Sequence, residues 1–263
     1  MRSWRHILKF GNREFRNIAV APFRKAHYVA LAGILKTYKH PFDACARYLF
    51  GLGKYPATVS LCTPIGDIQL VLYTFHDIVT VNEIFCRHDY RAGPSDKVIV
   101  DFGSNIGISA AYFLSRSADS YAYLYEPVPQ NVRRLRQNLR PFERRCSVSE
   151  VAVGLRKDQV EFGCEESGRY GGVGLKTGTY ISVECLDANE VLSQILAKHA
   201  RINILKIDIE SLEKQVFDRI PTEMLKRVDK IYVECRFEAN PLEETHFCRQ
   251  YTTVAQFAIK HDT

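Results

Sequence analysis

Two short stretches concentrate residues able to do chemistry. The first reads Val98-Ile99-Val100-Asp101-Phe102-Gly103-Ser104-Asn105-Ile106-Gly107: an acidic residue closes an apolar strand-like run, and Gly-x-x-x-Gly opens a segment of helical period. Glycines there let backbone approach a ligand closely, and a helix N-terminus offers unpaired N–H groups at the edge where open α/β sheets bind ligands. This is the geometry of a nucleotide site. The dinucleotide pattern G-x-G-x-x-G is absent. Asp101 would sit close to a pyrophosphate, whereas a carboxylate at that place suits the cationic amino group of an amino-acid moiety. The pattern therefore disfavours NAD and favours S-adenosylmethionine, with Asp101, Gly103, Ser104, Asn105 and Gly107 as candidate cofactor residues. Glu126 ends the next apolar run, 25 residues after Asp101, where an acidic side chain accepts both ribose hydroxyls. With Pro127 it completes the set.

The second stretch is Ile202-Asn203-Ile204-Leu205-Lys206-Ile207-Asp208-Ile209-Glu210. On a strand buried on both faces, the two-residue period puts Lys206, Asp208 and Glu210 on one side. Unpaired charges there are costly, so they pair with one another, reach the crevice above the strand ends, or both. Glu234 ends the following apolar run in the equivalent place. Asp208, Glu210 and Glu234 are thus the candidate catalytic residues, as general bases or as ligands of a divalent cation. The plainer alternative is an ion-pair network with Lys206 and Arg236 that only shapes the pocket.

The elements that must position these residues follow from periodicity. Strands are expected at 98–100, 121–125, 148–153, 202–209 and 230–234, and helices at 106–116, 129–139, 188–200 and 212–220. In the helix over 129–139, Val132, Leu135 and Leu139 form one stripe. Repeating β and α units predict an α/β fold with a mostly parallel sheet and helices on both faces. Before it, Pro64-Ile65-Gly66-Asp67 marks a hairpin within 58–73, and 77–86 reads as a short helix. Five glycines within 165–178 predict a turn-rich hairpin or flap, able to present Arg169 and Tyr170 to a substrate. Residues 1–57 are expected to form a basic helical extension, and 58–263 the main domain with its preceding hairpin.

In order along the chain, several motifs resemble the FkbM family of S-adenosylmethionine-dependent methyltransferases. They are Asp77-Ile78-Val79-Thr80 with Glu83-Ile84-Phe85, the run from Val100 to Gly107, Tyr125-Glu126-Pro127 with Asn131 and Gln137-Asn138-Leu139, and the run from Leu205 to Glu213. The resemblance spans roughly 58–234. It implies a class I, Rossmann-like methyltransferase sheet, with the Asp101–Gly107 loop around the methionine part of the cofactor and Glu126 on its ribose. It also implies O-methylation of sugars or other hydroxylated small molecules. Ser211 stands where the family pattern Lys-x-Asp-x-Glu-Gly has glycine. Only 29 residues follow Glu234, which predicts a shortened antiparallel end to the sheet, with 253–260 as its one strand.

Composition bounds the alternatives. The 263 residues are 46% hydrophobic and 25% charged, which excludes collagen-like and wholly disordered chains. Net charge is +6, but the first 60 residues hold 11 Lys/Arg against 2 Asp/Glu, so the rest is slightly acidic. Such a basic amphipathic segment, with Trp4, Ile7, Leu8, Phe10, Phe15 and Ile18 among arginines and lysines, suits packing on the main domain, an anionic membrane surface or a polyanion. Arg133, Arg134, Arg136, Arg140, Arg144 and Arg145 prompt a nucleic-acid methyltransferase as the alternative. Against it, no Asn/Asp-Pro-Pro-aromatic motif follows Asp208, and a solvated helix face accounts for the arginines. A non-enzymatic nucleoside-binding protein is the remaining class. The longest charge-free apolar stretch, 26–35, is far short of the roughly 20 residues of a membrane span, and the chain start lacks a signal-peptide arrangement. Eight cysteines without C-x-x-C or Cys/His ligand spacing read as reduced thiols of a cytoplasmic protein. The expected acceptor is a small molecule or glycan, and the sequence leaves the oligomeric state open.

Overall fold

The structure is a computed structural model that describes residues 9–10, 13–14, 25–165, 171–173, 179–251 and 253–260. The chain divides into two compact units, Met1–Asp89 and Tyr90–Thr263.

The first unit pairs β1 (Lys9–Phe10) with β2 (Arg13–Glu14), followed by helices α1 (Lys25–Thr37) and α2 (Pro41–Phe50). Proline in the first turn of α2 and Gly51 at its end, with φ 65°, delimit that helix as capping chemistry requires. In α1, Ala30 and Ile34 are buried while Val29, Leu35 and Lys36 face out. The expected hairpin forms from β3 (Ala57–Thr63) and β4 (Gly66–Leu72), which bury Val59, Leu61, Ile68, Leu70 and Leu72 by alternation. Helix α3 (Phe75–Val81) starts earlier than its apolar pattern suggested, because Thr74 and Asp77 form a capping box. A π-turn, Asn82–Cys86, extends it. The N-terminal apolar residues Trp4, Ile7, Leu8, Phe15 and Ile18 lie outside the described residues.

The second unit carries β5 (Val98–Phe102), α4 (Ile108–Leu114), β6 (Tyr121–Tyr125), α5 (Pro129–Asn138) and β7 (Cys146–Ser149). After an insertion come β12 (Ile202–Ile207), α7 (Glu213–Arg219), α8 (Thr222–Leu225), β13 (Val228–Val233), β14 (His246–Tyr251) and β15 (Val254–Ile259). The sheet order is β14-β15-β13-β12-β5-β6-β7, parallel from β13 to β7 and antiparallel at the β13–β15 and β15–β14 pairs. This is the expected Rossmann-like methyltransferase sheet. Its antiparallel end is complete rather than shortened: β14 has only one buried residue, His246, so its sequence lacks the apolar run that marks a strand.

The insertion also corrects the sequence reading. The single strand expected at 148–153 is two, β7 and β8 (Ala152–Gly154). β8 joins β9 (Asp158–Cys164), β10 (Gly171–Val173) and β11 (Tyr180–Asp187) in a separate four-stranded sheet of order β10-β9-β11-β8. Arg169 and Tyr170, expected on a flap, lie outside the described residues. Asp187 ends β11 and caps α6 (Ala188–Lys198) by accepting from the Asn189 and Glu190 N–H groups.

Helices cover both faces of the large sheet. On one face Val100, Phe102, Leu205 and Ile207 cluster with Val191, Leu192 and Ile195 of α6 and Val216 and Phe217 of α7. Phe217 stacks on Phe257 of β15 with ring centroids 5.1 Å apart. Burying each such ring contributes about 1.5–3 kcal/mol. On the other face all residues of α4 are buried, and Phe113 stacks on Tyr232 of β13. The Tyr232 hydroxyl is satisfied, accepting from the Arg91 N–H and donating to its carbonyl, each at 2.7 Å.

Candidate functional site

Sheet order reverses between β5 and β12, the switch point where open α/β sheets bind ligands. Nearly all of the candidate residues lie along the carboxyl ends of β6, β5, β12 and β13. The turn after β5 takes its shape from three positive-φ residues, Gly103 at 80°, Asn105 at 48° and Gly107 at 84°. A Cβ on Gly103 would also collide with the Asp208 carbonyl oxygen, so glycine is required for two reasons. The Gly103 and Ser104 N–H groups donate to the Tyr125 carbonyl, and the Asn138 amide donates to the Ile106 carbonyl. These bonds tie the loop to the end of β6 and to the last turn of α5. Helix α4 begins at Ile108 rather than Ile106, because Gly107 occupies the left-handed region ahead of it.

Glu126 lies just past β6, buried. Its Oε2 accepts from the Asn105 N–H at 2.9 Å, and its Oε1 from the Val128 N–H at 3.0 Å and the Asn131 amide at 3.1 Å. Burial pushes its carboxyl up to about 7 despite these three donors. A carboxylate has about four acceptor positions, so room remains for a ligand hydroxyl. Asn131 was visible in the motif pattern but was not assigned to the site; its spacing from Glu126, one helical turn into α5, is the signal.

Asp101 differs from its expected state. It lies inside β5, not at its end, and is 0% exposed. Its carboxylate accepts from Lys206 Nζ at 3.0 Å and from Ser109 Oγ at 2.6 Å. In this structure the positive partner of Asp101 is Lys206, one strand away in register. Ser109 went unnoticed because a serine in a helix's first turn carries no signal by itself. Lys206 Nζ also donates to the Gly103 carbonyl at 2.9 Å and pairs with Asp208 at 3.0 Å. Burial opposes its charge, but Asp101 and Asp208 outweigh it and hold the ammonium well above its usual pKa.

The three candidate carboxylates are not equivalent. β12 stops at Ile207, so Asp208 lies just beyond it, and Glu210 is not on the Lys206 side by strand alternation: Glu210 and Ser211 turn with φ 56° and 79°. Asp208 and Glu234 do meet. They follow the paired residues Ile207 and Val233, and their carboxyl groups are hydrogen-bonded to each other. Burial works to raise Asp208, but Lys206 and the bond from Glu234 hold it below the usual range. Although Glu234 has exposed surface, burial around its carboxyl end is the first cause that raises it, and the bond to Asp208 and its charge add to the rise. Among the described residues no group of three or more His, Cys, Asp or Glu side chains is arranged to hold a metal ion. The acids paired with Lys206 are Asp101 and Asp208.

The arginines of 133–145 divide. Arg133, Arg136, Arg140 and Arg144 are exposed, whereas Arg145 is structural, donating to the carbonyls of Leu114 and Ser117 just after α4.

Residues 101–259 match the Methyltransferase FkbM domain. The chain belongs to the FkbM methyltransferase family. Part of this FkbM methyltransferase, 170 residues or 63% of the chain, is 25% identical to the AMB antimetabolite synthetase AmbE of Pseudomonas aeruginosa and spans 8% of that protein's length. The chain is also similar to the methyltransferase FkbM of Methylobacillus flagellatus KT, at 13% identity and a TM-score of 0.44, covering 70% of this chain and 54% of that one. The N-terminal domain of human METTL16 in complex with SAH gives 11% identity and a TM-score of 0.36, covering 93% of this chain and 95% of that one. No helix among the described residues is long and apolar enough to cross a membrane.

Proposed function

We propose that this FkbM methyltransferase is an S-adenosylmethionine-dependent O-methyltransferase of a sugar or other hydroxylated small molecule. The observation that carries the reading is the Lys206–Asp208–Glu234 arrangement immediately beside the glycine loop, an ionised carboxylate held at a strand end next to a ligand cradle. The residues present fit the cofactor. The Gly103–Gly107 turn admits backbone to close approach, and Glu126 keeps acceptor capacity for a ribose hydroxyl. Gly103, Ser104, Asn105, Gly107, Glu126 and Pro127 would hold it. Asp101 serves indirectly, by fixing Lys206 and Ser109. When bound, the cofactor supplies a methyl group on a sulfonium.

In this reading Asp208 accepts the proton of the acceptor hydroxyl as its oxygen is methylated. Lys206 keeps Asp208 ionised and fixed, and much of the rate comes from orientation and water exclusion. Glu210, on the turn after Asp208, contributes to the acceptor side of the crevice. Eight cysteines, none in a disulfide, support a reducing, cytoplasmic location.

Calorimetry with S-adenosylmethionine and S-adenosylhomocysteine, with NAD and ADP-ribose as controls, tests the cofactor assignment. Selective binding of the sulfur nucleosides is expected, and preference for ADP-ribose would overturn it. Asp208→Asn is expected to lower turnover on hydroxylated acceptors about 100-fold or more while leaving cofactor affinity unchanged. Full turnover would remove Asp208 as the base.

A further inference from the structure

We propose that Asp208 and Glu234 share a single proton and form a two-carboxyl relay leading from the Lys206 network to solvent. The inference rests on the O-methyltransferase reading for its direction of proton flow, but the shared proton itself does not.

The geometry has three parts. First, the two carboxyl groups are hydrogen-bonded to each other across the ends of adjacent parallel strands, and two carboxylates in such contact cannot both be ionised without strong repulsion. One proton must lie between them. Second, Lys206 decides its position. Its ammonium is 3.0 Å from Asp208 Oδ2, so the charge stays on Asp208 and Glu234 is the donor. Third, the pair spans a gradient of exposure. The Asp208 side chain is 24% exposed and rests on a lysine that is almost wholly buried, whereas Glu234 is exposed. The backbone on both sides is fixed, since the Asp208 N–H donates to the Phe102 carbonyl and the Glu234 N–H to the Ile207 carbonyl. Thr253 Oγ1 donates to Glu234 Oε1 at 3.4 Å from the loop between β14 and β15. The other titratable groups acting on Glu234 are Lys206, Glu210 and Tyr90. Tyr90 is buried and holds its proton well past the usual range, because burial opposes the phenolate. It does not compete for the shared proton.

The relay balances as follows. The acceptor O–H bond breaks as its oxygen takes the methyl group from the sulfonium, and the C–S electron pair stays on sulfur, leaving a neutral thioether. The released proton goes to Asp208, while Glu234 gives its proton to water. The proton newly on Asp208 becomes the shared one. One proton leaves per turnover, and the pair returns to its starting charge. Glu234 acts on the acceptor only through Asp208 and is in that sense a positioning residue, whose exchangeable proton is the property to test.

Infrared difference spectroscopy of the full chain at pH 7, without cofactor, reads that proton directly. The carbonyl band of a protonated carboxylic acid is expected in the parent protein and absent in Glu234→Gln. Other raised carboxyls, Asp101, Glu126 and Glu213, contribute to both spectra and cancel. The same band is expected to vanish in Asp208→Asn, where the amide donates to Glu234 and the acid no longer needs its proton. A band that persists in Asp208→Asn means that burial alone protonates Glu234, and it overturns the sharing. No band difference for Glu234→Gln overturns the proposal outright. With an acceptor in hand, Glu234→Gln keeps a hydrogen-bond donor to Asp208 but cannot pass a proton. Its kcat is expected to fall about tenfold or more with acceptor KM unchanged, and an unchanged kcat overturns the relay. Failure of the methyltransferase reading is recognised separately, by absence of S-adenosylhomocysteine binding, and leaves the infrared result standing.

Discussion

Replacing Lys206 by methionine tests the reasoning that links the site to the fold. The side chain is nearly wholly buried and makes three polar contacts, to Asp101 at 3.0 Å, Asp208 at 3.0 Å and the Gly103 carbonyl at 2.9 Å. Methionine matches its length and unbranched shape, so packing loss is small. What remains is a carboxylate at Asp101 with no exposed surface, still accepting from Ser109 Oγ but stripped of its positive partner. Breaking a buried pair by removing one partner costs about 3–5 kcal/mol, which for a unit of this size lowers the melting temperature by roughly 6–20 °C. Urea unfolding at several pH values adds a sign. Burial already raises Asp101 against the pull of Lys206, and without Lys206 its folded pKa moves further above its unfolded value. A carboxyl raised by folding is destabilising when ionised, so the variant's deficit should shrink toward pH 5 and grow toward pH 8. The double variant Asp101→Asn/Lys206→Met should show a coupling of about 0.5–3 kcal/mol. A deficit below about 1 kcal/mol at pH 8, or one independent of pH, would refute the view that this ion pair organises the strand ends.

Two further expectations are independent of that network. Ser211 is exposed with φ 79°, a region where a Cβ costs about 1–2 kcal/mol, so Ser211→Gly should raise stability by about 1 kcal/mol; a thermal melt that does not move upward contradicts this. Glu126 is raised to about 7 by burial, ahead of its hydrogen bonds, and its ionised form is the better acceptor for ribose hydroxyls. S-adenosylhomocysteine affinity should therefore increase up to about tenfold from pH 6 to pH 8, and a flat calorimetric profile would count against Glu126 as the ribose contact.

Much of this molecule was legible in its sequence because period and punctuation are local. Alternating apolar runs and helical stripes gave β5, β6, β12, α5 and α6 to within a few residues. The glycines at 103 and 107 marked the loop, since only backbone with positive φ fits a turn pressed against Asp208. Lys206, Asp208 and Glu234 stood out because charges within apolar strand runs must find partners. Who those partners are was not local. Asp101 and Lys206 are 105 positions apart, and only the pairing of β5 with β12 makes the first the counter-ion of the second. Asp208 and Glu234 share a hydrogen bond because β12 and β13 end level with each other. Glu210 left the strand face because the chain turns at 210–211, where the family pattern has a glycine and this chain has Ser211. β14 was missed for a related reason, as an edge strand buries too few side chains to impose an apolar pattern. Residue types determined which groups could carry charge and where glycine was needed. Strand register decided which charges neutralise one another, because that depends on distances in space that no spacing along the chain encodes.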